Sequence, residues 1–151
     1  MTLLFLYTEL SGYFISCLEY MTRHSDTQAV VVRYPVNPEA PFSFNLAQEN
    51  IIYHDRSGMN ARRLAELARA MNPDFIYCSG WTDKAYMNVC REMRAGRGTP
   101  TVLGFDNRWT GSIRQLAAVA FYRHNLLTAF SHVWVPGTPQ FRFARKLGFK
   151  E

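Results

Sequence analysis

Lysine is nearly missing: Lys84, Lys146 and Lys150 stand against fourteen arginines. Basic residues never gather into the long run of a nucleic-acid-binding arm, so nucleic acid is not an expected partner. Cysteine is also scarce. Cys17, Cys78 and Cys90 are odd in number and show no C-x-x-C spacing, which argues against a disulfide framework or a zinc site and for a reducing, cytoplasmic setting. His24, His124 and His132 lie far apart and show no ligand spacing, so no metal is expected. No segment reaches the roughly 20 apolar residues needed to span a bilayer. The apolar start, Met1 to Tyr7, lacks a basic lead and is interrupted by Glu9, so it reads as a strand and not as a signal peptide. Neither G-x-G-x-x-G nor G-x-x-x-x-G-K-[ST] occurs, which disfavours dinucleotide binding and P-loop chemistry. No cofactor is called for.

What is present is enough for one domain. A chain of 151 residues buries roughly 70% of its unfolded surface in a single core. Hydrophobic residues at 48% against charged residues at 19% place it among globular chains. The net charge of +5 rests on arginine, whose planar fork suits phosphate and carboxylate. Most of these arginines are expected on solvated helix faces.

Strand and helix signals alternate. Leu3 to Tyr7, Ala29 to Arg33, Ile51 to Tyr53, Phe75 to Cys78, Thr101 to Phe105 and Val133 to Val135 are short apolar or β-branched runs. Between them, Tyr13 to His24 carries Phe14, Leu18 and Met21 at helical spacing. Asn60 is placed to cap a helix with the stripe Leu64, Leu67, Ala68 and Met71, ended by Asn72-Pro73. Thr82 is the expected cap of a third helix, closed by Gly96 and Gly98. Ser112 opens a long apolar helix through Leu127, for which core burial is the expectation and a partner or membrane-surface contact the alternative. Thr138-Pro139 reads as a cap followed by proline at the first helical position. Pro35 to Pro41 is expected to be loop. Apolar strands separated by helices predict an α/β fold: a Rossmann-like three-layer α/β/α domain, 1–151, around a mostly parallel sheet of about six strands. In such sheets ligands bind beyond the carboxyl ends of the strands, so the strand-exit loops are the candidate site.

Three exits qualify. Glu9-Leu10-Ser11-Gly12 enters a helix N-terminus, where free amides suit an anion or a hydroxyl. Ser79-Gly80-Trp81-Thr82 is polar and aromatic. Asp106-Asn107-Arg108-Trp109-Thr110-Gly111 is the richest. There Asp106 is the candidate hydroxyl acceptor or base, Arg108 the candidate phosphate ligand and Trp109 a surface for a sugar face. Turn capping, with the indole folded onto the core, is the competing account. His54-Asp55 pairs an imidazole with a carboxylate after the third strand, a further candidate base.

Asn72-Pro73-Asp74-Phe75-Ile76-Tyr77, then Pro100-Thr101-Val102-Leu103-Gly104-Phe105-Asp106, then His132-Val133-Trp134-Val135-Pro136 with a helix ending Lys146-Leu147-Gly148-Phe149, resemble in order and spacing the N-terminal half of a GT-B glycosyltransferase. The similarity is to the large retaining family that builds polysaccharides and lipopolysaccharides. The resemblance implies an acceptor-binding domain for a glycan or lipid-linked acceptor. A C-terminal domain would bind the nucleotide sugar and carry Glu-x7-Glu, so this half alone would not transfer a hexosyl group. It further implies a cytoplasmic protein with peripheral contact at the inner membrane face. From the chemistry of the three exit loops, Asp106 is the catalytic candidate, and Glu9, Ser11, Gly12, Ser79, Trp81, Thr82, Asn107, Arg108 and Trp109 are the substrate-binding candidates. Two departures stand out: only Gly12 follows Ser11 where family members carry paired glycines, and Asp106 occupies a strand exit where a histidine is frequent. A non-catalytic Rossmann-type small-molecule or protein-binding module remains the rival. A receiver domain is disfavoured, because none of the three lysines is at a strand exit.

Overall fold

The computed structural model describes residues 1–35 and 48–150. Among these residues six strands form one parallel sheet in the order β3-β2-β1-β4-β5-β6, with five α-helices distributed over its two faces. The expected α/β class is therefore observed. The chain divides into two compact units, Met1–Tyr77 and Cys78–Glu151.

The first unit begins with β1 (Thr2–Tyr7), α1 (Gly12–His24) and β2 (Gln28–Arg33), followed by β3 (Ile51–Asp55) and α2 (Ala61–Met71). Strand β1 pairs with β2 from Thr2↔Gln28 to Tyr7↔Arg33, and β2 pairs with β3 from Ala29↔Ile51 to Arg33↔Asp55. Alternate residues of a strand face opposite ways, yet Leu3 to Leu6 and Ala29 to Val32 are buried without a break. Both faces of these strands are thus covered, which is why the runs are apolar throughout. On one face Leu3, Phe5, Leu18, Ala29, Val31 and Ile51 form a core cluster, with Phe5 meeting Phe14 edge-on at 5.2 Å. Asn60 caps α2 as expected, accepting from the Arg63 amide at 2.8 Å. Asn72 ends it in the left-handed region at φ 50°. Of the predicted loop Pro35 to Pro41, all but Pro35 lies outside the described residues.

Strand β4 (Phe75–Ser79) carries the chain across the boundary between the units. The second unit continues with α3 (Lys84–Arg97), β5 (Thr101–Gly104), α4 (Ile113–Ala129), β6 (His132–Trp134) and α5 (Thr138–Lys146). Val102↔His132 to Gly104↔Trp134 set the β5–β6 register. A polar clasp closes the start of this pair: the buried Thr101 hydroxyl donates to the Ala129 carbonyl at 2.8 Å, and the Ser131 hydroxyl donates to the Thr101 carbonyl at 3.0 Å. Arg94 of α3 donates to the Leu127 and Phe130 carbonyls at the end of α4. Those carbonyls would otherwise lack intrahelical donors.

Four local expectations are corrected. The cap of α3 is Asp83, whose carboxylate accepts from the Ala85 and Tyr86 amides at 2.7 and 3.2 Å, so Thr82 stays outside. A carboxylate is the stronger acceptor at the positive end of a helix. Gly137 precedes α5 with no side-chain cap, and Thr138 lies inside the helix beside Pro139. His54 and Asp55 belong to β3 and do not follow it. Finally, α4 is not buried along its length: only Leu126 and Ala129 are, while Ile113 is 87% and Phe121 76% exposed. Among the described residues no helix is long and apolar enough to cross a membrane.

Candidate functional site

In the first unit the exit of β1 exposes Glu9 and Ser11, while Leu10 between them packs on the core cluster. The Ser11 hydroxyl accepts from the Phe14 amide at 3.2 Å, so it caps α1. Gly12 is the first helical residue and has no positive φ, so its value here is not conformational licence. Beside this exit Tyr7 meets Phe14 at a tilt, 4.2 Å between ring centroids, and stacks on Tyr77 at 5.6 Å. Burial first, and then Tyr77, pushes the Tyr7 phenol far above its ordinary range.

At the end of β3 the proposed base pair does not assemble. Successive strand residues point to opposite faces. The Asp55 carboxylate instead accepts from the Ser57 amide at 2.8 Å and from its hydroxyl at 2.6 Å, capping a short 3-10 turn at Arg56–Gly58. These bonds hold Asp55 below the ordinary carboxylate range, while burial and then Arg63 lower His54.

The second unit joins the other two candidate loops. The Gly80 amide donates to the Gly104 carbonyl at 2.8 Å, tying the exits of β4 and β5 side by side. Gly80 itself sits at φ 88°, a conformation that disfavours any side chain there. From this junction Trp81 meets Phe105 edge-on at 5.4 Å and Phe143 of α5 at 6.2 Å. Trp109 packs on the same Phe143 at 5.5 Å, and the Lys146 ammonium lies over its indole at 5.0 Å. Phe143 is therefore the common floor under both tryptophans, and it is buried.

The backbone of 106–111 is pinned from two helices. One turn into α4, the Gln115 side-chain oxygen accepts from the Thr110 amide, the Thr110 hydroxyl and the Gly111 amide at 2.8, 3.0 and 3.1 Å. Its amide nitrogen donates to the Arg108 carbonyl at 2.7 Å. From α5, Gln140 donates to the Asp106 carbonyl at 3.1 Å, and the Trp109 amide donates to the Pro139 carbonyl at 3.3 Å. The loop is thus held by its main chain and by Trp109. The side chains of Asp106, Asn107 and Arg108 are exposed and engage no partner among the described residues. A carboxylate, an amide and a guanidinium stand free on a fixed backbone. That arrangement can accept from hydroxyls, donate to oxygens and pair with a phosphate or carboxylate.

No protein-family model, curated protein or solved structure matches the chain.

Ser79, Trp81 and Thr82 thus join Asp106 to Trp109 in one unit, with Glu9, Ser11 and Gly12 in the other. Sequence reasoning missed Gln115, Gln140, Phe143 and Lys146. The last three recur every third residue, one face of α5, and that spacing was the available signal. Gln115 carried none, because only the fold brings its side chain back over the turn at Gly111 (φ 71°).

Proposed function

We propose that the chain is the acceptor-side domain of a glycosyltransferase, and that the loop Asp106–Gly111 is where the acceptor docks. The supporting observation is the contrast within the loop: its backbone is bonded at Asp106, Arg108, Trp109, Thr110 and Gly111, while the Asp106, Asn107 and Arg108 side chains are left exposed on it. Sugar recognition demands this combination, because hydroxyl groups discriminate only against donors and acceptors whose positions are set before binding. In this reading Asp106 accepts from an acceptor hydroxyl and takes its proton as that oxygen bonds to the anomeric carbon of the donor sugar, whose bond to phosphate breaks and releases the nucleotide. Asn107 bridges neighbouring hydroxyls. Arg108 pairs with the phosphate of a lipid-linked glycan, which puts the acceptor at a membrane face. Trp109, fixed on Phe143, closes one wall with its remaining indole surface. The nucleotide sugar would come from a second domain.

The test is binding on an array of neutral and phosphorylated glycans, followed by calorimetric titration of the best ligand and by turnover in a polypeptide that includes a nucleotide-sugar domain. Asp106→Ala and Arg108→Ala should each lower affinity by about tenfold, the value of one charge-assisted hydrogen bond, with an unchanged melting temperature. Asp106→Asn should retain binding better than it retains turnover. Full affinity and turnover in both alanine variants would refute the assignment. Binding that depends on Asp106 but never leads to transfer would reduce the domain to a binding module.

A further inference from the structure

Helix α4 presents an apolar face that the domain does not use. At 100° per residue, its buried Leu126 and Ala129 mark the inward side. On the opposite arc Ile113, Leu116, Ala120, Phe121 and His124 are exposed, with Ile113 at 87%, Leu116 at 53% and Phe121 at 76%, while Ala117, Leu127 and Thr128 between them are half-buried. Arg114 and Arg123 fall at the two edges of that arc, and both are exposed. Contacts gather at its two ends: Gln115 holds the loop before it, while from α3 Arg94 holds its last carbonyls and Arg91 donates to Thr128 at 3.3 Å.

The chain on either side of it in sequence carries charge of one sign. From Asn107 to Lys150 there is no aspartate or glutamate, and there are seven arginines and lysines. The second unit as a whole carries eleven basic against four acidic residues, while the first carries six against eight. The +5 of the chain is therefore concentrated where the apolar arc is.

We infer that α4 is a membrane-docking element, lying in the surface of an anionic bilayer with Ile113, Leu116 and Phe121 in the headgroup–acyl boundary and Arg114 and Arg123 on lipid phosphates. An apolar strip bordered by arginines fits that interface. A second copy of the chain fits it poorly, since two such surfaces would bring like charges together. The inference deepens the lipid-linked-acceptor reading by naming the surface that meets the lipid. Its observations are separate, and its test uses vesicles without any glycan, so either can fail alone.

The experiment is co-sedimentation of the purified chain with vesicles of phosphatidylcholine alone, and of phosphatidylcholine and phosphatidylglycerol in equal parts. Binding is expected to the second and not the first, weakening as salt shortens the roughly 8 Å screening length at physiological ionic strength. Arg114→Gln should weaken it about fivefold, the contribution of one basic residue at an anionic surface. The double variant Ile113→Gln, Phe121→Gln should weaken it by about tenfold or more, because two exposed side chains lose their apolar burial. All four outcomes support the assignment when circular dichroism shows the variants folded, as expected for exposed positions. Absence of binding to the anionic vesicles at low salt would overturn it. So would binding indifferent to the α4 variants, or α4-dependent self-association in sedimentation velocity without vesicle binding.

Discussion

Replacing Phe143 by alanine is the sharpest probe of how the candidate loop is built. The ring is 2% exposed and touches Trp81, Phe105 and Trp109 at centroid separations of 6.2, 5.6 and 5.5 Å. Truncating a buried phenylalanine costs about 3–5 kcal/mol in transfer and cavity energy, and the aromatic pairs place this site toward the upper end. For a chain of this size about 1 kcal/mol corresponds to roughly 2–4 °C in melting temperature, so Phe143→Ala should melt roughly 6–20 °C lower. Two of the three tryptophans rest on this ring. The native emission should therefore shift to the red before any global unfolding, as Trp81 and Trp109 lose their cover. Phe143→Leu keeps most of the volume and should lose less than half as much stability. The assays are thermal unfolding by circular dichroism and urea unfolding followed by tryptophan fluorescence. A Phe143→Ala protein melting within about 2 °C of the parent, with unshifted emission, would refute the claim that this side chain supports the loop.

Three further predictions concern stability away from the loop. Asp55 is held below its ordinary pKa by the Ser57 bonds, so its contribution is present above the unfolded carboxylate pKa and is lost as the pH falls through the folded one; Asp55→Asn should flatten the acid limb of a stability-versus-pH curve. His54, lowered by burial and Arg63, resists protonation when folded, so parent stability should decline below about pH 6.5 and His54→Gln should remove that decline, with no change in either limb refuting the pair. Gly148→Ala should cost more than Gly98→Ala, as chemical denaturation would show. Both glycines have positive φ (99° and 71°), but an added Cβ at Gly148 would lie 2.7 Å from Arg123 Nε and 2.9 Å from Leu127 Cδ1, whereas Gly98 faces open space. Equal losses would mean that backbone strain alone sets both.

Local chemistry made much of the architecture legible from residues alone. Consecutive valines in Val30 to Val32 and the run Leu3 to Leu6 could only be strands covered on both sides, because no alternating face was available to water. Asn60, Ser112 and Gly98 marked helix ends through bonds that span three or four residues, and interactions of that range are written in the sequence. The misplaced caps at Thr82 and Thr138 show the limit of such signals: each had a neighbour, Asp83 or Gly137, that met the geometry better.

Three things were decided only in the folded chain. Residues 106–111 became a pinned loop because Gln115 and Gln140, on two separate helices, reach the same backbone. Trp81 and Trp109 came to share a floor because α5 brings Phe143 beneath both. The apolar composition of α4 pointed to burial, yet its outer arc faces solvent. Composition states how much a helix gains from leaving water, and only the packing of its neighbours determines whether the domain itself supplies the cover.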